Sequence, residues 1–325
     1  MTSRLVSVIL CLALFLSLFY TAVYVGYELF PEAPREESTE VTTEQTEPVE
    51  PQLLVFENLR YGTNSRHSLD LSLPVDGRAE TGLIIYLHGG GWRSGDKSQA
   101  KRSFQAIQPN SDYATASINY RLVKDGTYNL YDILEDITLA LGYIKDFAEG
   151  YSVNLTRVIF SGHSAGGHLS LLYAYKYKDI SPIEPVGVFA ASPVPDLSLD
   201  AFYTNNTKGN EAYMCKYMSK LFGITFTPET RSDIKILLDE YSPINFINSS
   251  TVPTVILHGE NDRVAPFNGS QLLCEKLSEY CINHELVVFK NTKHNLNADS
   301  EYRQYADKLL LACAKSWFGI ADNNK

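Results

Sequence analysis

Five short apolar runs, "GLIIYLHGGG", "YATASINYRL", "RVIFSGHSAGG", "VGVFAASPV" and "TVPTVILHGEND", each stop at glycine or a polar residue. Runs of this length without alternation read as strands covered on both faces of a parallel sheet. Helical stretches lie between them. Leu130–Phe147 is an example, with Asp132, Glu135, Asp136 and Lys145 forming its charged face. Strand and helix in alternation predict an α/β fold with right-handed crossovers, and such sheets bind ligands beyond the carboxyl ends of their strands. Upstream, "LLVFENLRYG" and "SLDLSLPVD" alternate apolar and polar residues, as half-buried antiparallel strands do.

The chemistry-bearing residues fall at those strand ends. Gly162-His163-Ser164-Ala165-Gly166 fits G-x-S-x-G and joins an apolar strand to a Leu/Ala/Tyr-rich helix. A serine on such a joint projects its hydroxyl above the sheet, and the flanking glycines remove Cβ atoms that would collide with neighbouring backbone. Ser164 is therefore the candidate nucleophile, against a plain Gly-rich turn. A serine hydroxyl needs a base. Of seven histidines, His88, His163 and His258 sit in glycine turns, His168 follows on the helix, His67 precedes an early strand and His284 opens the run "HELVVF". His294, on the loop after that run, is the candidate base. The orienting carboxylate should lie between serine and histidine at another strand end. Asp262 in "HGENDRVAP" is chosen, with Glu260 as its local competitor and Asp196 a more distant one.

Three consecutive glycines after "YLH" then acquire a purpose. Acyl transfer passes through a tetrahedral oxyanion that needs donors already in place. The amides of Gly90 and Gly91, with that of Ala165 behind the serine, can supply them. The phosphate-cradle alternative would need G-x-G-x-x-G or Gly-Lys-Ser/Thr at a helix start, and neither is present. With no H-E-x-x-H and no clustered Cys/His set, neither metal nor cofactor is expected.

"DLSLP", "HGGGW", "SINYRL", "GHSAGGHL", "ASPVPDL", "YSPINFI", "HGENDRVAP" and "KHN" follow one another in order. With these the chain from about 53 to 318 resembles the α/β-hydrolase family. The resemblance is nearest to the carboxylesterase branch with an H-G-G-G oxyanion loop, the hormone-sensitive-lipase-like and feruloyl/acetyl-esterase-like group. It implies an eight-stranded, mostly parallel sheet, the triad Ser164, Asp262, His294, and a serine hydrolase of short-chain or aryl acyl esters. An arylformamidase-like amidase or a serine peptidase would use the same triad. A catalytically dead hydrolase fold used for adhesion would require a broken one. Residues 199–248 form an insert long enough to cap the site, with "EAYMCKYMSKLFGITF" and "SDIKILLDEYSPINFI" both helical. Its mixture of Tyr, Lys, Asn and Met argues against long-chain lipid substrates. The 21 tyrosines suit stacking on aryl acyl groups or sugars as well as core filling.

The chain of 325 residues carries a net charge of −10, which argues against a nucleic-acid partner. Seven glutamates and one arginine between 31 and 50 hold most of it. That acidic, Thr- and Pro-rich stretch (31–52) reads as a disordered stalk ahead of a catalytic domain at 53–320. Before it, the 23 uncharged residues from Leu5 to Tyr27 follow Arg4 and precede Glu28. A secretory core runs about 7–15 residues and a bilayer span about 20. Residues 1–30 are therefore read as an uncleaved signal anchor with its N-terminus inside, and a cleaved signal peptide is the alternative. Either places the catalytic domain outside the cytoplasm. Buried free thiols are at least as good a reading of Cys215, Cys274, Cys281 and Cys313 as disulfides. An intact helix would hold Cys274 and Cys281 about 10 Å apart, beyond disulfide reach. The expected partners are a small-molecule or polysaccharide-linked acyl ester and, through the N-terminal segment, a membrane. Oligomeric state is not legible.

Overall fold

A computed structural model describes residues 52–75, 80–108, 112–123, 127–197, 211–296 and 300–319. The expected anchor (1–30) and nearly all of the expected stalk (31–52) lie outside the described residues. The first strand takes up the last stalk position, Gln52.

All eight apolar runs become strands: β1 (Gln52–Arg60), β2 (Ser68–Val75), β3 (Thr81–Leu87), β4 (Ala114–Ile118), β5 (Leu155–His163), β6 (Glu184–Ala191), β7 (Thr254–Gly259) and β8 (His284–Phe289). They form one sheet in the order β1-β2-β4-β3-β5-β6-β7-β8. The alternating runs β1 and β2 pair antiparallel to each other, and β2 pairs antiparallel to β4. From β4 to β8 every pairing is parallel.

Each central strand feeds two cores, because successive side chains leave a strand on opposite faces. Leu83, Ile85 and Leu87 of β3, Val158 and Phe160 of β5, and Ile256 of β7 join the core beneath helices α2 (Leu130–Glu149) and α3 (Ala165–Lys176). Their neighbours Ile84, Ile159 and Val255 face the other way, toward α1 (Lys101–Ile107) and α7 (Ser300–Phe318). This two-sided burial explains the unbroken apolar runs. Strand β8 is the exception: at the sheet edge it is half exposed throughout.

Helix α2 starts where its sequence says it should. Asn129 accepts from the Tyr131 amide at 2.8 Å, while the Asp132 carboxylate accepts from the Asn129 amide at 2.7 Å, a reciprocal cap. Its charged face needs one correction. Asp136 is wholly buried, not solvated. Its carboxylate accepts from His67 Nε2 at 2.9 Å and from the Arg121 amide at 2.7 Å, and the Arg121 guanidinium lies 2.7 Å away. Burying a carboxylate is tolerated when such donors replace its water.

The expected insert folds as α4 (Glu211–Phe222) and α5 (Arg231–Glu240), both helical as anticipated. Residues 199–210 of it lie outside the described residues. Helix α6 (Phe267–Glu279) ends before Cys281, and Cys215, Cys274, Cys281 and Cys313 are all free thiols. Cys215 and Cys313 are buried, whereas Cys281 is exposed.

Candidate active site

The site lies above the carboxyl ends of the parallel strands, where β3, β5, β7 and β8 each hand over to a loop. Ser164 occupies the joint between β5 and α3 with φ 57° and ψ −120°, a sparsely populated conformation for a residue with a side chain. The close packing of the joint explains the glycines beside it. A Cβ on Gly166 would collide with the Leu87 carbonyl of β3, so only glycine lets the helix start this near the sheet.

Ser164, His294 and Asp262, 130 and 32 residues apart along the chain, meet in one line. Ser164 Oγ lies 2.8 Å from Nε2 of His294, and Nδ1 of His294 lies 2.7 Å from Oδ2 of Asp262. The carboxylate must accept, so Nδ1 carries the hydrogen and Nε2 is free to take the serine proton. Of the competing carboxylates, Glu260 is exposed, and Asp196 accepts from the Ser242 hydroxyl at 3.4 Å.

Asp262 has no exposed side-chain surface. Its Oδ1 accepts from the amides of Val264 and Ala265 at 2.8 and 3.0 Å. Its Oδ2 accepts from His294 and also from Nε2 of His258 at 3.1 Å. Burial alone would raise its pKa. The hydrogen bonds from His258 and His294 outweigh it and hold the carboxyl well below the usual carboxylate range.

The glycine loop after β3 stands beside this line. Gly90 has φ +122° and Gly91 φ +59°. At Gly90 a side chain would run into the Ser94 backbone, and the Gly90 carbonyl is turned away to accept from the Arg93 and Ser94 amides, each at 3.1 Å. Among the described residues the amides of Gly90 and Gly91 have no protein acceptor. The amide of Ala165, the first residue of α3, has none within its helix. The three expected oxyanion donors thus have amides available for a ligand.

Three histidines that looked like ordinary turn or helix residues brace the site. His163 sets Nε2 2.9 Å from the backbone carbonyl of His294, to which it donates. His88 stacks on Tyr120 at 4.1 Å, donates from Nδ1 to the Gly89 carbonyl at 2.9 Å and accepts at Nε2 from Arg66 at 3.0 Å. His168 accepts the indole N–H of Trp92 at 3.2 Å and donates from Nε2 to the Tyr241 carbonyl at 2.8 Å. Burial lowers the pKa of all three, to about 4 for His88 and His168, so they stay neutral. The sequence signal was faint. Each lies within a few residues of a recognised motif, but only the fold shows which groups it meets.

A cleft of about 680 Å³ opens from Ser164 and His294. It runs down between α1 and α7, with Tyr86, Phe104, Phe189, Ala306 and Leu310 forming its apolar wall. Gly90 and Gly91 line the same cleft. The expected insert reaches the oxyanion loop. Tyr217 of α4 donates its hydroxyl to the Gly91 carbonyl at 3.3 Å, bracing the loop from outside. No described residue between 211 and 248 lines the cleft. The insert's helices pack into the α2–α3 core, on the opposite face of the sheet from α1 and α7.

Comparison with known proteins gives this geometry relatives. Residues 69–277 match the family model described as BD-FAE, and residues 239–321 match that of the dienelactone hydrolase family. The probable carboxylic ester hydrolase LipM of Mycobacterium tuberculosis is 24% identical over 242 residues, covering 74% of this chain and 52% of LipM. This chain therefore spans about half of LipM's length. The esterase LipU of the same organism is 22% identical, covering 69% of this chain and 72% of LipU. Among solved structures, a truncated carbohydrate esterase from gut microbiota superposes with a TM-score of 0.66 at 19% identity, covering 82% of this chain and 98% of that one. Esterase 2 of Thermogutta terrifontis, phosphonylated by sarin, gives a TM-score of 0.64 at 19% identity, covering 85% and 99%. The eight-stranded sheet is the α/β-hydrolase fold, and with 209 of its 325 residues matching the BD-FAE model the chain belongs to the BD-FAE family.

Proposed function

We propose that the protein is a serine hydrolase that cleaves carboxylic esters of short-chain or aryl acids through an acyl-enzyme intermediate. The observation that carries the reading is the unbroken line from Asp262 through His294 to Ser164 beside the free amides of Gly90 and Gly91.

Ser164 Oγ attacks the ester carbonyl carbon as its proton passes to Nε2 of His294. The imidazolium so formed is stabilised by Asp262, which stays ionised. Negative charge gathers on the former carbonyl oxygen, where the amides of Gly90, Gly91 and Ala165 receive it without reorganising. On collapse the C–O bond to the alcohol breaks, and the alcohol takes the proton from Nε2. Water, deprotonated in turn by His294, then attacks the acyl-serine; the C–O bond to Ser164 Oγ breaks, Oγ takes back the proton from Nε2, and the acid leaves. The chain's own groups supply every proton transfer.

Substrate class follows from the cleft. Its wall of Tyr86, Phe104 and Phe189 suits a short or flat acyl group, and the polar residues that also line it, among them Gln99, Ser103 and Asn295, suit a sugar alcohol. We therefore favour acyl groups carried on small molecules or polysaccharides. The apolar run from Leu5 to Tyr27 supports a single-pass anchor that displays the enzyme outside the cytoplasm on its acidic stalk.

The test uses the full chain with a fluorophosphonate probe and a p-nitrophenyl ester series from acetate to decanoate. Labelling that disappears in Ser164→Ala, with rates highest for the short esters, supports the proposal. An unlabelled wild type returns the adhesion reading, and a rate maximum at decanoate refutes the short-acyl claim.

A further inference from the structure

Asp262 serves two imidazoles with one oxygen. Its Oδ2 lies 2.7 Å from Nδ1 of His294 and 3.1 Å from Nε2 of His258. Nε2 of His258 also lies 3.0 Å from the Ala265 carbonyl. Both neighbours of that nitrogen are acceptors, so it carries the hydrogen and donates to both. The other nitrogen, Nδ1, accepts from the hydroxyl of Ser270 on α6 at 2.8 Å. His258 and Ser270 are both wholly buried, and the His258 ring meets Phe267 edge-on at 5.6 Å.

The two carboxylate oxygens are held unequally without this histidine. The amides of Val264 and Ala265 fix Oδ1 alone. A carboxylate pinned at one oxygen still swings about its terminal torsion, which has a broad and shallow profile. A second donor on Oδ2 removes that freedom. We propose that His258 is a positioning residue for the reaction: its Nε2–H fixes the rotation of the Asp262 carboxylate so that Oδ2 stays aimed at His294. The relay then runs from Ser270 through His258, Asp262 and His294 to Ser164. It rests on the serine-hydrolase reading, because a carboxylate needs aiming only if His294 acts as a base.

The experiment compares His258→Phe, which keeps ring volume and loses the donor, with His258→Gln, whose amide places an N–H near the position of Nε2. Both are made in the full chain, with p-nitrophenyl acetate as substrate. For His258→Phe we expect kcat to fall about 10- to 100-fold, the range for one hydrogen bond to a charged group, with KM nearly unchanged. His258→Gln should recover most of the loss, which a purely structural role would not produce. The downfield proton resonance of the His294–Asp262 hydrogen bond should move in His258→Phe and return in His258→Gln. If His258→Phe does not fold, Ser270→Ala frees the ring and should show the same changes in weaker form. A folded His258→Phe with wild-type kcat, a His258→Gln equally impaired, or an unmoved resonance each overturns the proposal. An inactive wild type would sink the hydrolase reading separately, and the resonance, which needs no turnover, would still decide the role of His258.

Discussion

The indole of Trp92 donates to Nδ1 of His168 across 3.2 Å, tying the loop that carries the oxyanion amides to the helix that begins at the nucleophile. Trp92 is itself buried, at φ 59°. His168 completes the tie by donating to the Tyr241 carbonyl beyond α5. Three elements far apart in sequence are thereby fixed relative to the reacting oxygen.

Trp92→Phe should therefore lower stability and activity together. It leaves the buried Nδ1 of His168 without its donor, a loss of about 1–3 kcal/mol. The loosened loop should cost about 10-fold in kcat, less than the 100- to 1000-fold of deleting an oxyanion donor outright. Urea unfolding and steady-state kinetics on the same preparation check both.

Stability should fall on mild acidification. His88 and His168 are kept neutral by burial, each with a pKa lowered from 6.5 to about 4. The unfolded chain takes up protons as the pH drops below 6.5, while the folded one refuses them until about 4. Stability is thus fully present above 6.5 and is lost across that window. Denaturant midpoints from about pH 7 to about pH 4.5 should decline, and His168→Gln should show a shallower decline than wild type.

Strand ends made the candidate site legible. Ser164, Asp262, His294 and the paired glycines could be picked out because each follows an apolar run of recognisable length, and the α/β order placed those ends together. The burial of Asp136 was not legible, because a charged helix face does not show the Arg121 and His67 that come to meet it. His258 was passed over although Asp262 stands four residues on, since nothing local distinguishes a turn histidine that donates to a carboxylate from one that faces water. That the insert's helices pack into the α2–α3 core was not legible either, because length alone says that a segment can reach a site, not which elements it packs on.

The cleft between α1 and α7 should set acyl length. Ala306 lies on its wall and is nearly buried. Ala306→Leu fills space there, so p-nitrophenyl butyrate and longer esters should lose about 10-fold or more in kcat/KM while acetate is nearly spared. A uniform loss across the series would place the acyl group elsewhere.

Thiol chemistry should be harmless to turnover. Cys274 and Cys313 have pKa values pushed up to about 11 by burial, and Cys281 is the exposed thiol of the four. None of the four lines the cleft. Iodoacetamide on the native protein should alkylate Cys281 first, as peptide mapping would show, without changing the rate of ester cleavage.

The backbone at Ser164 has a consequence for the life of the molecule. Its torsions of 57° and −120° are ones that a glycine adopts at little cost and a serine does not. Ser164→Gly should release about 1–3 kcal/mol and raise the melting temperature, while leaving nothing to attack an ester. The protein would outlast its native form once it could no longer react, so its durability is held below what the sheet around it could sustain.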